Sequence, residues 1–420
     1  MLALVALLAS AASPDIYLIS VDTLRADHLG CYGYDLPTSP NIDRLAAESL
    51  LFEDFICEVP LTGPSFSSMM TAHYPRTTGA TKNGIRIPDW APTVAENLKD
   101  AGYETVCVQS NWTLKSKLSG LDRGFDVYDD DMDTKRWGVL KPERLGDDVL
   151  ERSLILLEER DAAKPLFAWF HFSDPHAPYK MRKKYNPSGK RSATMNETDS
   201  ARARYDSEIA FADAQIAQLI EAIPKENAFI VFVGDHGESL YEHDYLGHGR
   251  RIYQTGLHVP FMIHGPNIEP GRTDAPARGI DLGVTLLALA GIDPMKGMVG
   301  LNLLQSEAIP RDRMRVVETY GGAVPQISGV REMLENAPPM RQSVLHEGWK
   351  LIQLGPRTEL YNLIDDPEEL DNRAKEKPDR VDKLAKVIEA WSAAYKRGDS
   401  DEAALNEDDL EALDSLGYLD

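Results

Sequence analysis

Asp15-Ile-Tyr-Leu-Ile-Ser-Val-Asp22 is a β-branched, apolar run closed by an acid. It reads as a buried strand ending at Asp22. Ala228-Phe-Ile-Val-Phe-Val-Gly-Asp235 repeats the pattern, again with an acid at its end. Further strands are expected over Thr105–Gln109, after the Gly102–Tyr103 break, and over Leu166–Phe172. Helices are expected between them. Ser39 suits an N-cap and Pro40 a first helical position, with Ile42, Leu45, Ala46 and Leu50 following at helical spacing. Thr93–Ala101, Gly146–Glu159 and Tyr205–Ala222 are the other helical stretches. Strands alternating with helices predict an α/β fold, a large and mainly parallel sheet sandwiched by helices. Ligands of such sheets bind beyond the carboxyl ends of the strands. Asp22 and Asp235 both lie at such ends, so two carboxylates far apart in sequence can meet around a cation.

After about Leu304 the character changes, and Pro, Gly and charged residues become frequent. Short strands are expected at Met314–Thr319 and Trp349–Gln353. A final helix is expected over Arg380–Lys396, with Val381, Leu384, Val387, Ile388 and Trp391 on one face. The chain therefore divides into a main domain at 15–304, a small C-terminal α+β subdomain at 305–398 and a solvated acidic tail at 399–420. Residues 1–14 form a signal-like segment. The run Met1–Ala12 is too short to span a bilayer, and Ser10–Ala11–Ala12–Ser13 can supply a cleavage site, although a basic start is missing. Export to the periplasm or medium is the expectation, with a cytoplasmic protein the alternative.

Lys and Arg number 45 against 67 Asp and Glu, a net charge of -22. Such a surface repels nucleic acid and anionic membranes. Neither is an expected partner, and no integral membrane span is expected. The acidity serves solubility, and part of it can gather around a divalent cation. Cys31, Cys57 and Cys107 lack zinc-ligand spacing and cannot all pair, so disulfides do not define the fold.

Four segments carry chemistry: Val21–Asp27, Leu61–Ser65 running on to Tyr74–Pro75, Phe172–Tyr179, and Gly234–Glu238 followed by Gly247–Gly249. With Thr38–Leu45, Glu359–Leu363 through Asp366–Pro367, and the ending Leu413–Tyr418, they resemble the sulfatase family of the alkaline phosphatase superfamily. The likeness runs from about Asp15 to the end. Any one tetrapeptide would be weak; their order and spacing are specific.

Two carboxylates and an imidazole suit a divalent cation, and the resemblance implies Asp22, Asp235 and His236 as its ligands. The metal is left open among Ca, Mn and Zn. Thr62 occupies the nucleophile position and would also touch the metal. A hydroxyl at a helix start meets free N–H groups and the positive end of the dipole, and a metal lowers its pKa further. The plainer alternative is an ordinary Thr N-cap.

The chain departs from the family's Cys/Ser-x-Pro-x-Arg signature, having Thr62 first and Phe66 where the Arg belongs. Threonine cannot yield formylglycine, so none is expected. Thr23 stands where many sulfatases have another metal-binding Asp, which leaves a less anionic site, nearer to transition-metal members. A threonine ester cannot collapse to an aldehyde, so water must cleave it. That favours phosphate mono- or diesters, with a sulfuric ester hydrolase lacking formylglycine as the alternative and an inactive glycan- or anion-binding homologue as another. The expected partner is a small anionic ester, such as a sulfated or phosphorylated glycan or a lipid headgroup.

The resemblance implies that His176 contacts the ester's oxygens or leaving group. His248 and Asn111 stand where, or near where, the family places lysines, so all three would stabilise the equatorial oxygens. Asp174, His176 and His248 are a candidate second metal site, with plain hydrogen bonding as the alternative. Glu238 can orient a water or buttress a ligand. Arg25 holds an anion or the loop carrying Asp22. His171 and His243 read as structural.

Overall fold

The computed structural model describes residues 13–132, 143–189, 195–322, 342–354 and 357–399, and the backbone of 401–402. The first twelve residues of the signal-like segment, most of the 134–144 loop, part of the 182–196 loop, and the tail from 403 with its Leu413–Tyr418 ending lie outside the described residues.

The four expected strands form the middle of an eight-stranded sheet. In spatial order its strands are Gly271–Thr273, Leu50–Phe52, Phe261–His264, Ala228–Gly234, Asp15–Val21, Leu166–Phe172, Glu104–Val108 and Val127–Asp129. Asp15–Val21 is central and pairs in parallel with both Ala228–Gly234 and Leu166–Phe172. Phe261–His264 runs antiparallel to its two neighbours. The fold is thus α/β with a large, mostly parallel sheet.

Alternate residues of the central strand enter opposite cores, as the twofold pleat requires. Ile16 and Leu18 join Phe167, Trp169, Val231 and Val233 under the helices Thr62–Thr71, Val94–Asp100 and Asp281–Leu289. Tyr17, Ile19 and Val21 join Phe170, Phe172 and Phe232 under Pro40–Ala47, Gly146–Glu159 and Glu197–Ala222. Both faces are covered, which is why these strands read as continuous apolar runs.

Several boundaries differ from the sequence reading. The Pro40 helix stops at Ala47, and Leu50 begins an inner strand of the sheet. The helix expected from Tyr205 starts at Glu197, where Asn196 accepts a hydrogen bond from the Asp199 N–H. The helix expected from Thr93 runs over Val94–Asp100, with Thr93 as its cap in a reciprocal box with Glu96.

The C-terminal subdomain is an antiparallel sheet, Arg315–Glu318, Gln342–His346, Trp349–Leu354 and Arg357–Asn362, in that order. The helix Pro378–Ala394 covers one face through Leu384 and Ile388. The other face packs Val317, Leu345 and Ile352 on Ile56, Ile252 and Leu257 of the main body. Within the expected acidic tail, the backbone of Asp401–Glu402 pairs with Ile85–Arg86. All three cysteines are free. Among the described residues, no helix is long and apolar enough to cross a membrane.

Candidate active site

Sheet register brings the two strand-end acids together. Val21 is opposite both Gly234 and Phe172, so the residues that follow, Asp22, Asp235 and Ser173, leave the sheet side by side. Asp22, Asp235 and His236 are fully buried, with one ligand atom from each lying within 4.8 Å of the others. Among the described residues no other group of three potential ligands does so.

Hydrogen bonds fix which atoms face inward. Asp235 Oδ1 accepts from the backbone N–H groups of Thr23 (3.0 Å) and His236 (2.7 Å). Its Oδ2 has no partner. Asp22 Oδ2 accepts from Asn111 Nδ2, whereas Oδ1 has no partner. His236 Nδ1 donates to the Gly237 carbonyl at 2.9 Å, which leaves Nε2 as the lone-pair nitrogen. That Nε2 is 3.7 Å from Asp22 Oδ1 and 3.5 Å from Asp235 Oδ2. Two carboxylate oxygens without partners and an imidazole lone pair converging on one point are a donor set that fits a divalent cation.

Charge supports the same reading. Burial opposes ionisation of Asp22, yet the imidazoles of His171, His176 and His236 hold its carboxyl below the usual range. Burial and the Asp22 charge push Asp235 well above the usual range. Two adjacent buried carboxylates cannot both ionise without a compensating positive charge. Burial, reinforced by His248, lowers His236 to about 3, so it is neutral as a ligand must be.

Thr62 is the first residue of the buried Thr62–Thr71 helix, and the cap position belongs to Leu61. Its hydroxyl is therefore not spent on capping. Thr62 Oγ1 lies 3.2 Å from His236 Nε2, beside the cluster. The helix start is pinned by Ser65 Oγ donating to the Asp235 carbonyl (2.7 Å) and by Asn83 Oδ1 accepting from the Gly63 N–H (2.8 Å). Gly237 lets the chain turn away tightly, since a Cβ there would meet the Thr255 carbonyl oxygen at 2.1 Å. Thr23 sits at φ 54°, a costly conformation for a β-branched residue, and this aims its N–H at Asp235.

The remaining expected residues divide. The His176 and His248 rings are 5.1 Å apart, and His248 is 4.6 Å from the His236 ring. Asn111, assigned through the resemblance to the ester oxygens, instead donates to Asp22, while its Oδ1 accepts from Thr113. Asp174 does not join a second metal group. Its Oδ1 accepts from the Gly146 N–H at 3.1 Å and lies 3.5 Å from Arg182, serving the start of the Gly146–Glu159 helix. Glu238 is fully buried, with Oε1 3.2 Å from His248 Nδ1. Arg25 holds the loop: it donates to the Glu238 carbonyl and pairs with Asp27 and Glu242. His171 is buried against Ser20 and Phe66, and His243 stacks on Tyr253, as structural residues do. Glu143, missed in the sequence, lies 2.6 Å from His176 Nδ1. It sits in a loop without periodicity, so only the fold points to it. Burial works against a charged His176, but Glu143 raises it to about 10.

Known proteins share the chain's family and fold. A family model described as Sulfatase matches residues 14–292. The ulvan-active sulfatase of Formosa agariphila is 27% identical over 333 residues, 69% of this chain and 64% of its own length. A structure of BT4656 in complex with its substrate D-glucosamine-2-N,6-O-disulfate matches with a TM-score of 0.71 at 18% identity, over 91% of this chain and 98% of that one. The phosphonate monoester hydrolase of Agrobacterium radiobacter matches with a TM-score of 0.69 at 19% identity, over 94% and 98%. The strand-end acids, the helix-borne hydroxyl and the matched 14–292 span place this chain in the sulfatase family of the alkaline phosphatase superfamily.

Proposed function

We propose that the protein is a metal-dependent hydrolase of anionic esters in which Thr62 is the nucleophile. The observation that carries this is the Thr62 hydroxyl 3.2 Å from His236 Nε2, beside two carboxylate oxygens that have no other partner. Asp22, Asp235 and His236 would hold one divalent cation, which supplies Lewis acidity and lowers the pKa of the adjacent hydroxyl. Thr62 attacks phosphorus or sulfur in line with the leaving oxygen. His176 and His248, packed in a row beside His236, stabilise charge on the equatorial oxygens in this reading. Water then cleaves the threonine ester. With Asp174 on another task, one metal rather than two is the reading favoured.

The lack of a Cys or Ser at position 62 favours phosphoric or phosphonic esters, because hydrolysis of a threonine ester needs no aldehyde. A sulfuric ester is the second reading, supported by the sulfatase names of relatives such as the ulvan-active enzyme. Glycan-borne esters are the substrate class that these relatives suggest. Export is proposed from the signal-like start, and N-terminal sequencing of protein secreted from its native host would test it.

The deciding experiment compares aryl sulfate, phosphate monoester, phosphate diester and phosphonate monoester substrates with several divalent metals, using wild type and Thr62→Ala. Thr62→Ala is expected to lower kcat by roughly 10³-fold or more on every ester the wild type cleaves. Full activity in that variant would remove Thr62 from the mechanism. Protein that neither holds nor takes up a divalent metal would favour a binding homologue.

A further inference from the structure

Two histidines lie in a row beside His236, with ring centroids 4.6 Å (His236–His248) and 5.1 Å (His248–His176) apart, and each has a carboxylate at its Nδ1. His248 Nδ1 hydrogen-bonds Glu238 Oε1 at 3.2 Å, and His176 Nδ1 makes an ion-pair contact with Glu143 Oε1 at 2.6 Å that is not aligned as a hydrogen bond. Glu238 belongs to the segment that carries Asp235 and His236. Glu143 comes from a different loop, and its delivery is specific. Its backbone forms an antiparallel bridge with Asn111, the residue whose side chain donates to Asp22. His176 is 3% exposed, and its backbone N–H donates to the Ser173 carbonyl at 3.0 Å, so the main chain that carries the ring is tied down at the strand end.

We infer that Glu143 is a positioning residue that holds His176 with Nδ1–H on its carboxylate and Nε2–H toward the leaving oxygen of the ester. This rests on the reading of Thr62 as nucleophile. Thr62 Oγ, its proton already given up to solvent, forms a bond to the central atom while the bond to the leaving oxygen breaks, and it is released as the same deprotonated oxygen when water cleaves the threonine ester. That oxygen takes the Nε2 proton of the His176 imidazolium and departs as an alcohol. The neutral imidazole keeps its Nδ1–H on Glu143, the arrangement that orients a histidine acid in carboxylate–imidazole pairs. When water attacks the threonine ester, the same Nε2 accepts the water's proton. The cycle ends with the proton where it began. Alkyl and phenyl esters, whose leaving oxygens are basic, need this proton. A 4-nitrophenolate leaves without it.

The test uses the full chain and Glu143→Gln, with Glu143→Asp as a second, shorter carboxylate. Rates are measured on the phenyl and 4-nitrophenyl esters of whichever acid, sulfuric or phosphoric, the wild type hydrolyses. Glu143→Gln is expected to lower kcat on the phenyl ester by about 100-fold and on the 4-nitrophenyl ester by less than about fivefold, with partial recovery in Glu143→Asp. Equal losses on both esters, or none, would overturn the proposal. A second measurement needs no turnover. The strongly hydrogen-bonded imidazole N–H, assigned by its loss in His176→Asn, should give a far-downfield proton resonance that Glu143→Gln abolishes or moves upfield. Its persistence unchanged in Glu143→Gln would overturn the placement of Glu143 even if Thr62 proved to be the nucleophile. Its presence in wild type and loss in Glu143→Gln, alongside an active Thr62→Ala, would leave the pairing intact and refute the nucleophile instead.

Discussion

Asp235 shows how much one side chain carries. One oxygen serves two backbone N–H groups and so holds the turn, while the other is left for a cation. Replacing it by Asn keeps the shape and removes the charge. Asp235→Asn is expected to lower metal affinity by about 10- to 100-fold or more while the protein stays folded, read as bound metal after dialysis against a metal buffer. Stoichiometric tight metal in that variant would contradict the assigned ligand set. The pair Asp22 and Asp235 was legible in the sequence because each closes an apolar strand. The partnering of Asn111 with Asp22 was not, since an amide at a strand end gives no sign of which way it turns. Asp174 is a related case: an acid before Pro–His has the look of a ligand, and what the residues could not tell is that its Oδ1 accepts from the start of a helix.

At the scale of elements, Glu58 links the Phe55–Ile56 strand region to the start of the Asp281–Leu289 helix. It is buried, accepts from the Ile280 N–H at 3.1 Å through each oxygen, and lies 3.8 Å from Arg278. Burial, only partly offset by Arg278, raises its pKa to about 7. Between about pH 4.5 and 7 the folded protein therefore keeps a proton that the unfolded chain has lost. Stability from this group must fall as pH rises through that window and be fully present below it. The change is on the order of 3 kcal/mol across the whole window. Glu58→Gln should remove that fall, measured by urea unfolding at pH 5 and pH 7.5. An identical pH dependence in wild type and variant would refute the assignment. Helices with strong periodicity, such as Gly146–Glu159, were read to the residue. The short Leu50–Phe52 strand was absorbed into the preceding helix, because three apolar residues fit either period and only pairing with Phe261–Ile263 and Gly271–Thr273 decides.

For the molecule as a whole, the small sheet is joined to the main body by apolar packing and by Gln254, which both members of a buried ion pair within the subdomain hold. Lys350, fully buried, lies 2.7 Å from Glu369 and 3.3 Å from Gln254 Oε1, and Glu369 also accepts from the Gln254 N–H at 2.6 Å. Burial lowers the pKa of this amine, with Glu369 opposing. Lys350→Ala strands a buried carboxylate and should cost about 3–5 kcal/mol, whereas Lys350→Met with Glu369→Leu should recover most of it. A denaturation series on the two variants checks this, and equal stabilities would show the pair to be idle. The sequence by itself determined the α/β class, the buried parallel strands and the acids at their ends, because local periodicity and strand-end chemistry are written in consecutive residues. Only the tertiary structure decided that Thr62 faces His236, that Glu143 backs His176 and that Asp174 stands apart, because those contacts depend on register and side-chain direction across elements distant in the chain.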